Sequence, residues 1–136
     1  MVLHTKGNEN GQLILRGGGG KPNFDSESVK AANEALKKAK LAQNVIIDCS
    51  HGNSNKDYTK QPDVLNACID QRLAGDDSIV GLMIESNINE GRQNLNGDKS
   101  SLEYGVSITD SCINWEQTEK LLLEADKRLS LSLIHI

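Results

Sequence analysis

The chain has 136 residues, 37% of them hydrophobic and 25% charged, with a formal charge of -4 and a pI near 5.3, enough for one modest domain with a single core. One Trp, one Phe and two Tyr on an acidic chain make no basic patch interleaved with stacking aromatics, so nucleic acid is not an expected partner. No run approaches the roughly 18 apolar residues of a membrane span, and the opening MVLHTKGNEN lacks the apolar stretch of a signal peptide, so no membrane partner and a cytoplasmic location are expected.

In chain order, one pattern comes three times. QLILR runs into Gly17 to Gly20, and Asp25 then opens a segment with Val29, Ala32, Leu36 and Ala39 at helical spacing. NVIIDCSH is a second continuous apolar run. After a polar loop, Leu65, Cys68, Ile69 and Leu73 follow at i, i+3, i+4 and i+8, with Gly75 placed as a helix stop. SIVGLMIES is the third run, followed by a long polar loop and a helix in which Thr118, Leu121, Leu122, Ala125 and Leu129 share a face. Runs apolar on both faces predict buried parallel strands covered by helices, an α/β fold. Cys49, Cys68 and Cys112 stand far apart with no CxxC spacing, which fits reduced thiols better than a disulfide framework.

Three βα units suit either part of a doubly wound sheet or three-eighths of a (β/α)8 TIM barrel, and period alone leaves both open. The placement of polar residues favours the barrel. Arg16, His51 and Glu85 each stand at the C-terminal end of one strand, and a barrel gathers all its strand ends around one mouth. A whole barrel takes about 250 residues, so the expectation is an incomplete barrel, its C-terminal three βα units.

Taken singly, each of these residues has an ordinary role. A histidine at a strand end is usually a hydrogen-bonded structural residue, Glu85 could cap a helix, Arg16 could neutralise a nearby carboxylate, and a glycine run is often only a flexible loop. Together they suggest more. Histidine with carboxylates suits a divalent transition metal, and the planar fork of arginine matches phosphate.

ILRGG, IDCSHGNSNK, GLMIESNINEG and YGVSITDSCINWE resemble, in order and spacing, the C-terminal part of the class I 3-deoxy-D-arabino-heptulosonate 7-phosphate (DAHP) synthases, from about Lys6 to Arg128. The resemblance implies a metal-dependent barrel enzyme of the shikimate pathway, homo-oligomeric in its full-length form, that condenses phosphoenolpyruvate with erythrose 4-phosphate and releases phosphate. It implies metal ligation by His51, Glu85 and Asp110, with Mn, Fe, Co or Zn as the divalent ion, and places Arg16 on the phosphate of phosphoenolpyruvate. Asp110 comes from the resemblance alone; taken by itself it reads as an Asx turn or a helix cap before Trp115.

The departures carry weight too. The family's fourth metal ligand is a cysteine in the first part of the barrel, and none of the three cysteines here replaces it; Cys49 stands where relatives have an aromatic residue. The erythrose phosphate site and the remaining basic residues for phosphoenolpyruvate also lie outside this sequence, so the chain alone is expected to be inactive. Its alternatives are a non-catalytic fragment and a piece of another metal-dependent barrel aldolase or sugar-acid synthase. Residues 1–130 are expected to form the barrel segment. Residues 131–136, LSLIHI, match the translation of a transposon end used in sequencing libraries and are expected to be an adapter-derived tail.

Overall fold

The computed structural model describes residues 2–8 and 10–132. Three short strands, β1 (Leu13–Leu15), β2 (Val45–Asp48) and β3 (Ile79–Met83), alternate with three helices, α1 (Ser26–Lys38), α2 (Gln61–Leu73) and α3 (Trp115–Ser132). The strands form one sheet in the order β1-β2-β3. Both pairings are parallel, with Ile14 opposite Ile46 and Asp48 opposite Met83. The expected α/β alternation is present. Of the C-terminal LSLIHI, Leu131 and Ser132 continue α3, while residues 133–136 lie outside the described residues.

Local chemistry explains where the helices begin and end. Asp25 caps α1: its carboxylate accepts the Ser28 N–H at 2.9 Å and the Ser28 hydroxyl at 2.7 Å. Those two bonds hold its carboxyl below the ordinary aspartate range. Pro62 sits in the first turn of α2, where a missing N–H costs nothing. Gly75, at φ +100°, ends α2 as the sequence predicts.

The core lies between β2 and the helices. Val45 and Ile47 of β2 are fully buried with Val29 of α1, and Leu65, Ile69 and Leu121 of α2 and α3 close over them. The strands are not uniformly buried, however. Only the central one is enclosed, while Ile14 of β1 and Val80 of β3 are 43% and 48% exposed. These two strands are the edges of the sheet, so each has a neighbour on one side only. Three positions on the expected helix faces also turn outward. Ala39 is the C-cap of α1 rather than part of it, and Leu73 and Leu122 are exposed. An amphipathic stripe of regular spacing is wider than the surface its neighbours cover.

All three cysteines are free and buried. Burial away from water pushes the Cys68 thiol up to about 12 and the Cys49 thiol further still. They behave as small apolar core residues. Among the described residues no helix is long and apolar enough to cross a membrane.

Candidate metal centre

Each strand turns polar just past its C-terminal end. Arg16 directly follows β1, His51 comes three residues after β2, and Glu85 two residues after β3. His51 sits at φ 49°, in the left-handed region that ordinary residues rarely enter, and its carbonyl accepts the Lys56 N–H at 2.7 Å. Asn55 and Lys56 share that left-handed conformation. A non-glycine backbone is held there only when surrounding bonds over-determine it.

The ring of His51 is aimed by a residue that pattern reading passes over. Asp48, the last residue of β2 and only 3% exposed, places Oδ2 at 2.8 Å from His51 Nδ1, while its Oδ1 accepts the Ser50 N–H at 2.9 Å. A carboxylate accepting from Nδ1–H fixes the tautomer and orientation of an imidazole and leaves Nε2 facing outward as a ligand. The Nε2 atom lies 3.5 Å from Asp110 Oδ2 and 3.7 Å from Glu85 Oε1.

The two carboxylates arrive on backbone that is pinned from several sides. Gln61, the first residue of α2 and fully buried, accepts the Glu85 N–H at 2.7 Å and donates to the Glu85 carbonyl at 3.1 Å. The same carbonyl accepts the Ile113 N–H at 3.0 Å. That bond joins the Asp110 turn to the end of β3, and paired bonds between Gly91 and Cys112 brace the turn from the other side. The expected long polar loop after β3 is therefore a folded element. Asn89 donates to the Tyr104 carbonyl, and Gln93 bonds the backbone of Glu103, Val106 and Ser107 across it.

One donor atom from each of His51, Glu85 and Asp110 lies within 4.8 Å of the others. Bonds of about 2.0–2.2 Å to a cation place two ligand atoms no more than roughly 4.4 Å apart, so small side-chain rotations close the set around one ion. An imidazole nitrogen and two carboxylate oxygens are the donors that divalent transition metals take. The three residues fit a metal ion, with Asp48 and Gln61 supporting them from behind. The structure thus brings together all three sequence-predicted ligands.

Arg16 belongs to the same rim. It lines a shallow depression with the glycine loop, Lys21, Lys56 and His51. Among the described residues its guanidinium has no carboxylate partner. Its exposed head lines a depression shared with Lys21, Lys56 and the glycine backbone, an arrangement suited to an anion.

Sequence reading misses Asp48 and Gln61. An acid closing an otherwise apolar strand, three residues before a histidine, is a usable signal for the first. Gln61 gives no signal, because its partner is backbone 24 positions away.

The profile of the DAHP synthetase I family matches residues 1–123. A Tyr-sensitive phospho-2-dehydro-3-deoxyheptonate aldolase of Enterobacter agglomerans is 51% identical over 94% of this chain and 60% of its own length. The phenylalanine-inhibited enzyme of that name from Saccharomyces cerevisiae is 50% identical over 89% of this chain and 34% of its own. A solved phospho-2-dehydro-3-deoxyheptonate aldolase from Francisella tularensis SCHU S4 superposes with a TM-score of 0.86 at 45% identity, covering 94% of this chain and 37% of that one. The chain therefore spans between about a third and three-fifths of the length of these relatives. With the family profile matching nearly all of it, the chain belongs to the DAHP synthetase I family.

Proposed function

We propose that this chain supplies the metal-binding and phosphate-binding strand ends of a (β/α)8 barrel enzyme. That enzyme condenses phosphoenolpyruvate with erythrose 4-phosphate to give DAHP and inorganic phosphate. The reading is carried by the convergence of His51, Glu85 and Asp110 at one end of a parallel sheet, in a chain of this family. These three residues would hold a divalent ion (Mn, Fe, Co or Zn), which supplies Lewis-acid polarisation of a carbonyl when bound. Asp48 keeps the His51 ring turned toward the two carboxylates, and Gln61 keeps the Glu85 backbone from drifting. Arg16 holds the phosphoenolpyruvate phosphate, where a two-pronged guanidinium fixes orientation as well as charge. Orientation of this kind makes a bimolecular carbon-carbon bond formation effectively unimolecular.

The test is a chimera in which residues 6–128 replace the matching segment of the Saccharomyces cerevisiae relative. Formation of DAHP from the two substrates is the expected result. Arg16→Lys in that chimera should weaken phosphoenolpyruvate binding by roughly 1–3 kcal/mol, the scale of a lost charge-assisted hydrogen bond, with metal content unchanged. A folded chimera that releases no phosphate from phosphoenolpyruvate would show the reading to be wrong.

A further inference from the structure

Behind the rim lies a polar residue that neither the metal group nor the phosphate site uses directly. Asn53 is 3% exposed and makes three hydrogen bonds to three different segments. Its Nδ2 donates to the Leu15 carbonyl at 3.0 Å and to the Asp48 carbonyl at 2.8 Å, joining the last residues of β1 and β2. Its Oδ1 accepts the Asn23 N–H at 2.8 Å, and the Asn23 side chain in turn accepts the Gly17 N–H at 2.7 Å. A chain of bonds thus runs from the β2 end to the residue beside Arg16. Gly52 closes the ring by donating its N–H to the Arg16 carbonyl at 3.0 Å. The two turns touch so closely that a Cβ on Gly17 would lie 2.7 Å from the Gly52 backbone.

We infer that Asn53 is a positioning residue that fixes the spacing between the phosphate-holding Arg16 and the metal-ligating His51. The inference rests on the phosphate role proposed for Arg16. A buried amide whose donors and acceptor are all engaged resists rotation, because each broken bond leaves a buried polar group unpaired. Asn53 bonds both strand ends and the β1–α1 loop, so it helps set one turn relative to the other. The side-chain bonds that hold His51 and Glu85, from Asp48 Oδ2 and from Gln61, do not run through the Asn53 side chain, which reaches Asp48 only at its carbonyl.

The experiment follows the backbone amides and the Arg16 Nε–H of the 136-residue chain by NMR, with Mn2+ alone and with inorganic phosphate alone as probes. In the wild-type chain Mn2+ should broaden the signals around His51, Glu85 and Asp110, and phosphate should shift those of Arg16 to Gly20. Asn53→Ala should leave the Mn2+ response in place and weaken the phosphate response roughly tenfold or more, the scale on which misplaced groups act. Asn23→Ala, which removes only the bond to Gly17, should do the same to a smaller extent and guards against misfolding of the first variant. Unchanged phosphate binding in both variants would overturn the role of Asn53 and leave the Arg16 reading intact. Unfolding of both would make the network a stabilising one and overturn the inference. A wild-type chain that ignores phosphate, or an Arg16→Ala variant that binds it as well as wild type, would remove the Arg16 reading and this inference with it.

Discussion

The rim at the strand ends and the flank built from β3, α2 and α3 are made of different materials. On the rim, the supports are hydrogen bonds from buried side chains to backbone and to one another: Asp48 to His51, Gln61 to Glu85, Asn53 to β1 and β2. On the flank there is an apolar groove lined by Leu65, Ile69, Ile79, Leu82, Ile84 and Leu129, and large side chains face water, Val80 and Leu122 at 48% and 52% exposure. Directional bonds specify one geometry. Apolar contact is non-directional and rewards any partner of suitable shape. A group that must meet a ligand at atomic precision is therefore framed by the first kind, while the second leaves β3, among the described residues, with an unpaired edge beside an apolar surface, the combination that favours edge-to-edge association.

Four measurements sharpen or break this contrast, and the largest effect is expected on the rim. His51→Ala in the yeast chimera should abolish both bound metal and turnover, because two carboxylates alone neither fix the coordination geometry nor hold a transition ion tightly. Retention of metal by elemental analysis would refute the ligand assignment. Next, Val80→Lys should reduce self-association of the 136-residue chain, seen as a smaller sedimentation coefficient at high concentration, without altering Mn2+ binding. An unchanged sedimentation profile would mean that the β3 edge is not the adhesive surface.

Gln61→Met keeps the volume and deletes both bonds to Glu85. It should cost roughly 1–3 kcal/mol of stability in urea titration, the penalty for orphaned buried polar groups, and weaken metal binding while leaving the Asp48–His51 pair in place. Loss of stability with full metal affinity would reduce Gln61 to a packing role. The smallest effect belongs to Asp25→Ala, about 1 kcal/mol for a lost N-cap. The Asp25 carboxyl titrates below its ordinary value because Ser28 bonds its charged form. Its contribution is therefore complete above the unfolded carboxyl value and fades as pH falls through the lower folded one. The difference between wild type and Asp25→Ala should shrink in acid; a constant difference across that range would place the stabilisation elsewhere.

Much of the fold is legible in the sequence because its signals are periodic. Continuous apolar runs announce β2 and β3, i, i+3, i+4 spacing announces the helices, and Asp25 and Gly75 mark two of their ends. The exposure of β1 and β3 is not legible, since a strand's own residues do not say whether a neighbour lies beside it. The segment between Glu85 and Asn114 is held by isolated bridges and side-chain bonds with no repeat, so it reads as loop although it is what carries Asp110 to His51. His51, Glu85 and Arg16 could be picked from their places at strand ends. Asp110 needed the family resemblance, and Asp48, Gln61 and Asn53 act through contacts whose spacing in the chain is arbitrary.

The contact between Gly17 and Gly52 has a genetic consequence. Every amino acid reachable from a glycine codon by one base change carries a Cβ, and at Gly17 that atom would fall 2.7 Å from the opposing backbone, on a residue already at φ +83°. At Gly52 it would fall 2.9 Å from the Arg16 carbonyl oxygen. Because each glycine makes room for the other's main chain rather than for a side chain, no trimming of a neighbour compensates for a substitution at either. The two positions should be the least permissive in a saturation library of this chain, and no second-site suppressor at one should restore the other.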